Sequence, residues 1–129
     1  MRKKTIIIAL IAAAIIFAII VVKRNYSLSP EYNYITAKLD IRSGNCRIVN
    51  VGTHIASAND SAIQSIALKY MFTNVYIENP TPNVRKGINN YNETIEIYLA
   101  IRNGADWKAR YQTEVDSILM KSVPTSGKK

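Results

Sequence analysis

From Ile6 to Val22 the chain runs through 17 residues without a single polar side chain. Ile6, Ile7, Ile8, Leu10, Ile11, Ile15, Ile16, Phe17, Ile19, Ile20, Val21 and Val22 carry that run, with alanines filling the rest. As a helix it is about 26 Å long at ~1.5 Å per residue. A hydrocarbon layer is about 30 Å thick, so the run falls slightly short. Lys4 and Lys23 make up the difference by lifting their amines to the interface. A cleaved signal peptide is the rival reading, but the run exceeds the ~7–15 residues of such a core. Its small residues, Ala12-Ala13-Ala14, lie mid-run, and Lys23-Arg24 follow it with no small-x-small site. The pattern predicts an uncleaved single-pass anchor over residues 1–24.

Beyond a linker over 25–34, the pattern breaks into short segments of alternating type. Ser29-Pro30 can open a helix as N-cap and first helical residue, with Tyr32, Ile35 and Leu39 as its buried stripe and Gly44 as its stop. Cys46–Val51 is rich in β-branched residues and reads as a strand ending at Gly52. Ser61 and Gln64 match a capping box, and the helix they open aligns Ile63, Ile66, Ala67, Tyr70 and Met71 on one face. A second strand covers Thr73–Glu78. Asn79-Pro80-Thr81-Pro82 breaks it and begins a loop through Gly87. A helix from about Ile88 to Arg102 then buries Ile88, Tyr91, Ile95, Tyr98 and Leu99. Gly104 ends it, and Asp106 caps a last helix whose apolar face holds Trp107, Tyr111, Val115, Ile118 and Leu119. The fold class is α/β, with α+β as the alternative: a β-α-β unit with parallel strands, covered by a C-terminal helical hairpin. The domain occupies residues 35–122, and residues 123–129 have the composition of a tail. Two strands alone make a marginal sheet, so a third strand or a partner chain is expected.

Charge sharpens this picture by its placement. The net charge is +8, from 17 Lys and Arg against 9 Asp and Glu. Five of the basic residues, Arg2, Lys3, Lys4, Lys23 and Arg24, flank the apolar run. The remainder is close to neutral, which removes the reason for a nucleic-acid partner. The excess of basic residues before the run predicts a cytoplasmic N-terminus with the domain outside the cell membrane. Cys46 has no partner in the chain, so there is no disulfide framework, and a single His and a single Cys cannot build a zinc site. No metal and no cofactor are implied.

Several landmarks together resemble the FEKKY domain family, small bacterial domains of uncharacterised function. These are Asp40 with Gly44, the strand ending at Gly52, Lys69-Tyr70, Gly87-Ile88 with Tyr91-Asn92, Tyr98-Leu99, and Asn103-Gly104 before Asp106-Trp107. The naming stretch keeps only its last two letters, Lys69-Tyr70, and carries Ala67 where the family usually has an acid. The resemblance implies a small anchored envelope domain and brings no catalytic residues with it.

Candidate chemistry is sparse. His54 follows the first strand, where open α/β sheets commonly bind ligands, and Thr53, Ser57 and Asp60 lie near it in sequence. A general base there needs a nucleophile within hydrogen-bond reach. Arg85 and Lys86 stand where a helix begins and can attract an anion. Cys46 reads as a buried thiol, Glu93 and Glu96 as a solvated helix face, and Tyr91, Tyr98, Trp107 and Tyr111 as core. The sequence points to a membrane-anchored, non-enzymatic binding or interaction domain in the bacterial cell envelope. Its partners are the lipid bilayer and a neighbouring envelope protein; its oligomeric state is open. The alternative is a small tethered hydrolase or ligand-binding enzyme built on the His54 loop.

Overall fold

A computed structural model describes residues 2–26 and 31–122. Five helices and two strands follow one another as α1 (Arg2–Tyr26), α2 (Tyr34–Ser43), β1 (Arg47–Val51), α3 (Asp60–Lys69), β2 (Thr73–Ile77), α4 (Pro82–Asn103) and α5 (Trp107–Lys121). The fold is mostly helical, with one small parallel sheet.

α1 is the one candidate membrane span among the described residues: Lys3–Asn25, mean hydropathy 3.3, with none of it buried. Its 23 residues reach about 35 Å at ~1.5 Å each. The helix continues through its basic flanks, Lys3-Lys4 and Lys23-Arg24, and so is longer than the apolar run alone.

The packed body begins at Tyr32, inside the stretch read as linker, because this ring is almost wholly buried. Ser29 and Pro30 lie outside the described residues. α2 is capped instead by Asn33, whose Oδ1 accepts from the Ile35 and Thr36 amides at 2.8 and 3.0 Å. Thr36 Oγ1 accepts from the Asn33 amide in return, completing a reciprocal cap. The inward face of this helix is Ala37 and Ile41. Ile35 and Leu39, expected in the core, are instead 53% and 56% exposed. Gly44 then closes the helix at φ 74°, the left-handed conformation its lack of Cβ permits.

α3 begins two residues earlier than the capping-box pattern places it, at Asp60 with Asn59 as N-cap. Ser61 is inside the helix, and Gln64 is used elsewhere. Tyr70 ends this helix, and Met71 takes a left-handed backbone at φ 72°, which turns its side chain outward instead of onto the apolar face. α4 starts at Pro82, with Thr81 as N-cap and proline at its first position, so most of the loop expected up to Gly87 is helix. Its buried stripe of Ile88, Tyr91, Ile95 and Leu99 is the centre of the core, with Tyr98 packed at the margin. α4 packs chiefly on α2 and β1, and α5 on α3. The last two helices therefore form two separate layers more than the hairpin that adjacency in sequence suggested. Leu119 stays exposed on α5.

The two strands pair in register from Arg47 with Thr73 to Val51 with Ile77. Among the described residues no third strand completes the sheet; helix side chains do part of that work. In a parallel ladder, alternate residues direct both backbone groups to opposite sides. Cys46 and Gly52 bond across to β2, which leaves Val49 facing out. Asn92 on α4 meets it as a neighbouring strand would, accepting from the Val49 amide at 2.9 Å and donating to the Val49 carbonyl at 2.8 Å. On the far side, Gln64 Oε1 accepts from the outward amide of Asn74 at 3.2 Å. Both outer edges carry an amide side chain where a strand is missing.

Candidate functional site

The segment between β1 and α3 gathers around Asp60. His54 Nε2 lies 3.0 Å from Asp60 Oδ2, the Ser57 amide donates to the same oxygen at 3.1 Å, and Ser57 Oγ donates to Oδ1 at 3.0 Å. The His54 ring stacks on Tyr76 of β2, with centroids 3.9 Å apart and planes 15° from parallel. Three hydrogen bonds thus fold the loop back onto the first turn of α3, and Tyr76 supplies its floor. A cleft of about 320 Å³ opens there, bordered by Gln64 and Asn74.

The geometry separates the parts a hydrolase would join. Ser57 Oγ donates its hydrogen bond to Asp60 and His54 meets the other oxygen of the same carboxylate, so the serine–histidine contact of a hydrolase is replaced by two separate contacts to Asp60. Asp60 acts as a hub that orders the loop. The Ser57 amide, then His54, then the Ser57 hydroxyl hold its carboxyl below the usual range. A depressed folded pKa means that the stabilisation is present above the ordinary value of 3.8 and lost as pH falls through the folded one. On acidification below that value, amide exchange at Ser57 is expected to accelerate before exchange in α4 does. Equal acceleration in both segments would show that Asp60 has no such local role.

A second polar chain crosses the sheet beside this cleft. Asn50 Nδ2 donates to Asn74 Oδ1 at 3.2 Å, and Asn74 Nδ2 donates to the Tyr111 hydroxyl at 3.0 Å. It lines a cavity of about 340 Å³ between sheet and α5. The side chains are each other's partners, which reads as interior satisfaction.

A wider cleft, about 720 Å³, lies by the start of the strands and is lined by Asp40, Arg47, Leu68, Met71 and Phe72. Asp40 and Arg47 of its lining form a connected polar cluster with Tyr91. Arg47 donates twice to Asp40 Oδ2, from Nη2 at 2.7 Å and Nε at 3.2 Å, and the Tyr91 hydroxyl donates to the same oxygen in a short contact. The guanidinium lies 5.2 Å from the Tyr32 ring centroid and 5.7 Å from that of Tyr91. Burial, then the bond to Asp40, push the Tyr91 phenol far up. Burial, with Asp40 adding to it, also raises the Cys46 thiol, which keeps this side chain protonated and inert.

Of the residues singled out from sequence, His54 is joined to Asp60, while Arg85 and Lys86 lie apart from it in the early turns of α4. Their position differs from a helix start: the Arg85 amide already donates to the Thr81 carbonyl at 2.9 Å, and Lys86 Nζ donates to the Arg24 carbonyl at 3.3 Å. Glu96 is held by Lys108 at 2.6 Å. Among the described residues, no three His, Cys, Asp or Glu side chains converge as a metal site. Asp40 with Arg47, and Asn92 with Val49, were not paired from sequence. The signal was there for Asn92, a polar residue one position after Tyr91 on the buried stripe.

No family model, no curated protein and no solved structure matches this chain. The resemblance to FEKKY domains rests on the sequence landmarks alone.

Proposed function

We propose that the protein is a membrane-anchored, non-enzymatic binding domain of the bacterial cell envelope, of the FEKKY type, with its N-terminus in the cytoplasm and its domain outside. One observation carries the reading: the apolar run of α1 from Ile6 to Val22 is unburied, so nothing among the described residues shields it from water. About 25 cal/mol per Å² of apolar surface opposes that exposure, which only lipid or another apolar phase relieves. The domain it carries is internally satisfied, with every buried side-chain polar atom among the described residues hydrogen-bonded. Tethering confines it to a plane and raises its effective concentration for neighbouring envelope proteins.

Washing native membranes with alkaline carbonate tests the anchor. The full chain is expected to stay in the pellet with its N-terminal segment intact. Release into the wash, or a mature chain lacking residues 1–24, overturns it. Crosslinking in those membranes is expected to trap a specific envelope protein. Retention and turnover of a small molecule would favour an enzyme instead.

A further inference from the structure

The outward face of α2 carries the side chains that a lipid–water interface selects. Ile35 and Leu39 stand one turn apart, more than half exposed, with Tyr34 47% exposed beside them. Lys38 and Arg42 occupy the same side, and Lys38 Nζ lies over the Tyr34 ring at 5.3 Å from its centroid. The one acid in this helix, Asp40, is turned the other way and held by Arg47 and Tyr91. The exposed face is therefore aliphatic, aromatic and cationic, with no negative charge. That composition suits an amphipathic helix lying in an anionic headgroup layer.

Its place in the fold brings it to such a surface. Seven residues separate Tyr26, the end of α1, from Tyr34. Fully extended, that connection reaches at most about 28 Å, so α2 starts close to the point where α1 leaves the bilayer. The Lys86–Arg24 contact draws the first turns of α4, the packing partner of α2, to the same end of α1. Lys23 and Arg24 add positive charge there.

We propose that α2 docks on the anionic bilayer surface from which α1 emerges, with Ile35 and Leu39 entering the interface and Lys38 and Arg42 meeting lipid phosphates. The docking rests on α1 spanning that bilayer. It holds the domain in one orientation, presenting its opposite side to partners.

The unmodified full chain, reconstituted in phosphatidylcholine vesicles with or without phosphatidylglycerol, tests this. The vesicles carry a lipid with a photoreactive diazirine near the headgroup end of its acyl chain. Peptides from α1 and peptide 34–43 are expected to be labelled, the second more strongly with phosphatidylglycerol. Ile97 and Ile101, exposed on α4, serve as the reference for random contact. Converting Lys38→Glu and Arg42→Glu is expected to lower labelling of 34–43 by roughly fivefold or more per basic side chain, leaving α1 unchanged. Labelling of α1 with 34–43 at the level of Ile101 overturns the docking and leaves the anchor standing. No labelling of either overturns both. Crosslinks from 34–43 to a second copy in place of lipid also overturn the docking.

Discussion

Replacing Asn92 by Leu is expected to destabilise the domain by about 2–4 kcal/mol, because two backbone groups of Val49 lose the side chain that pairs them and face an apolar one. Val49 is buried, so water does not substitute for the missing amide. Leucine matches asparagine in size and improves helix propensity, which leaves the lost hydrogen bonds as the dominant change. Urea unfolding of the full chain in a non-ionic detergent, followed through the buried Trp107, measures the difference. Asn89→Ala, an exposed change on the same helix, is the control and is expected to stay within about 0.5 kcal/mol. Equal behaviour of the two variants would mean that the edge of β1 needs no partner.

Asp40→Ala is expected to be comparably damaging, at about 2–4 kcal/mol, since it strands both a guanidinium and a buried phenol. The cost stays below that of a fully buried pair because the Arg47 and Asp40 side chains keep 32% and 18% of their exposure. Tyr91→Phe separates the contributions: it removes the phenol bond and leaves the ion pair. It also has a pH signature. The Tyr91 pKa is raised in the folded state by burial and by Asp40, so its contribution is complete below the ordinary 10.0 and declines as pH rises toward the folded value. Stability is therefore expected to fall above pH 10 in the parent, and less steeply in Tyr91→Phe. Parallel curves would show that the phenol is not the group responsible.

Much of the fold was legible because its strongest signals are periodic. The stripe of α4 is spaced for a helix, and Ile88, Tyr91, Ile95 and Leu99 all lie in the core. The two strands and the helix between them follow from β-branched runs bounded by Gly52 and Asn79-Pro80. Boundaries were less legible where two local signals compete. Thr81-Pro82 is both a loop breaker and a helix start, and here the threonine cap decides for the helix. Ile35 and Leu39 match a buried stripe as well as Ala37 and Ile41 do, and it is packing against α4 that distinguishes the two faces. The Asp40–Arg47–Tyr91 cluster joins residues up to 51 positions apart, and no periodicity encodes that distance. The Asp60 hub was partly visible, since His54, Ser57 and Asp60 are near neighbours. Which of them holds the others is a matter of geometry alone.

The amides of Asn92 and Gln64 also govern how such molecules tolerate crowding. Chains confined to one plane of lipid meet each other far more often than free ones, and an open strand edge in each would invite end-on polymerisation into ribbons. With the middle of both flanks occupied from within the same chain, a passing neighbour finds a shortened template to extend. If the proposed anchoring holds, dense populations can then remain dispersed.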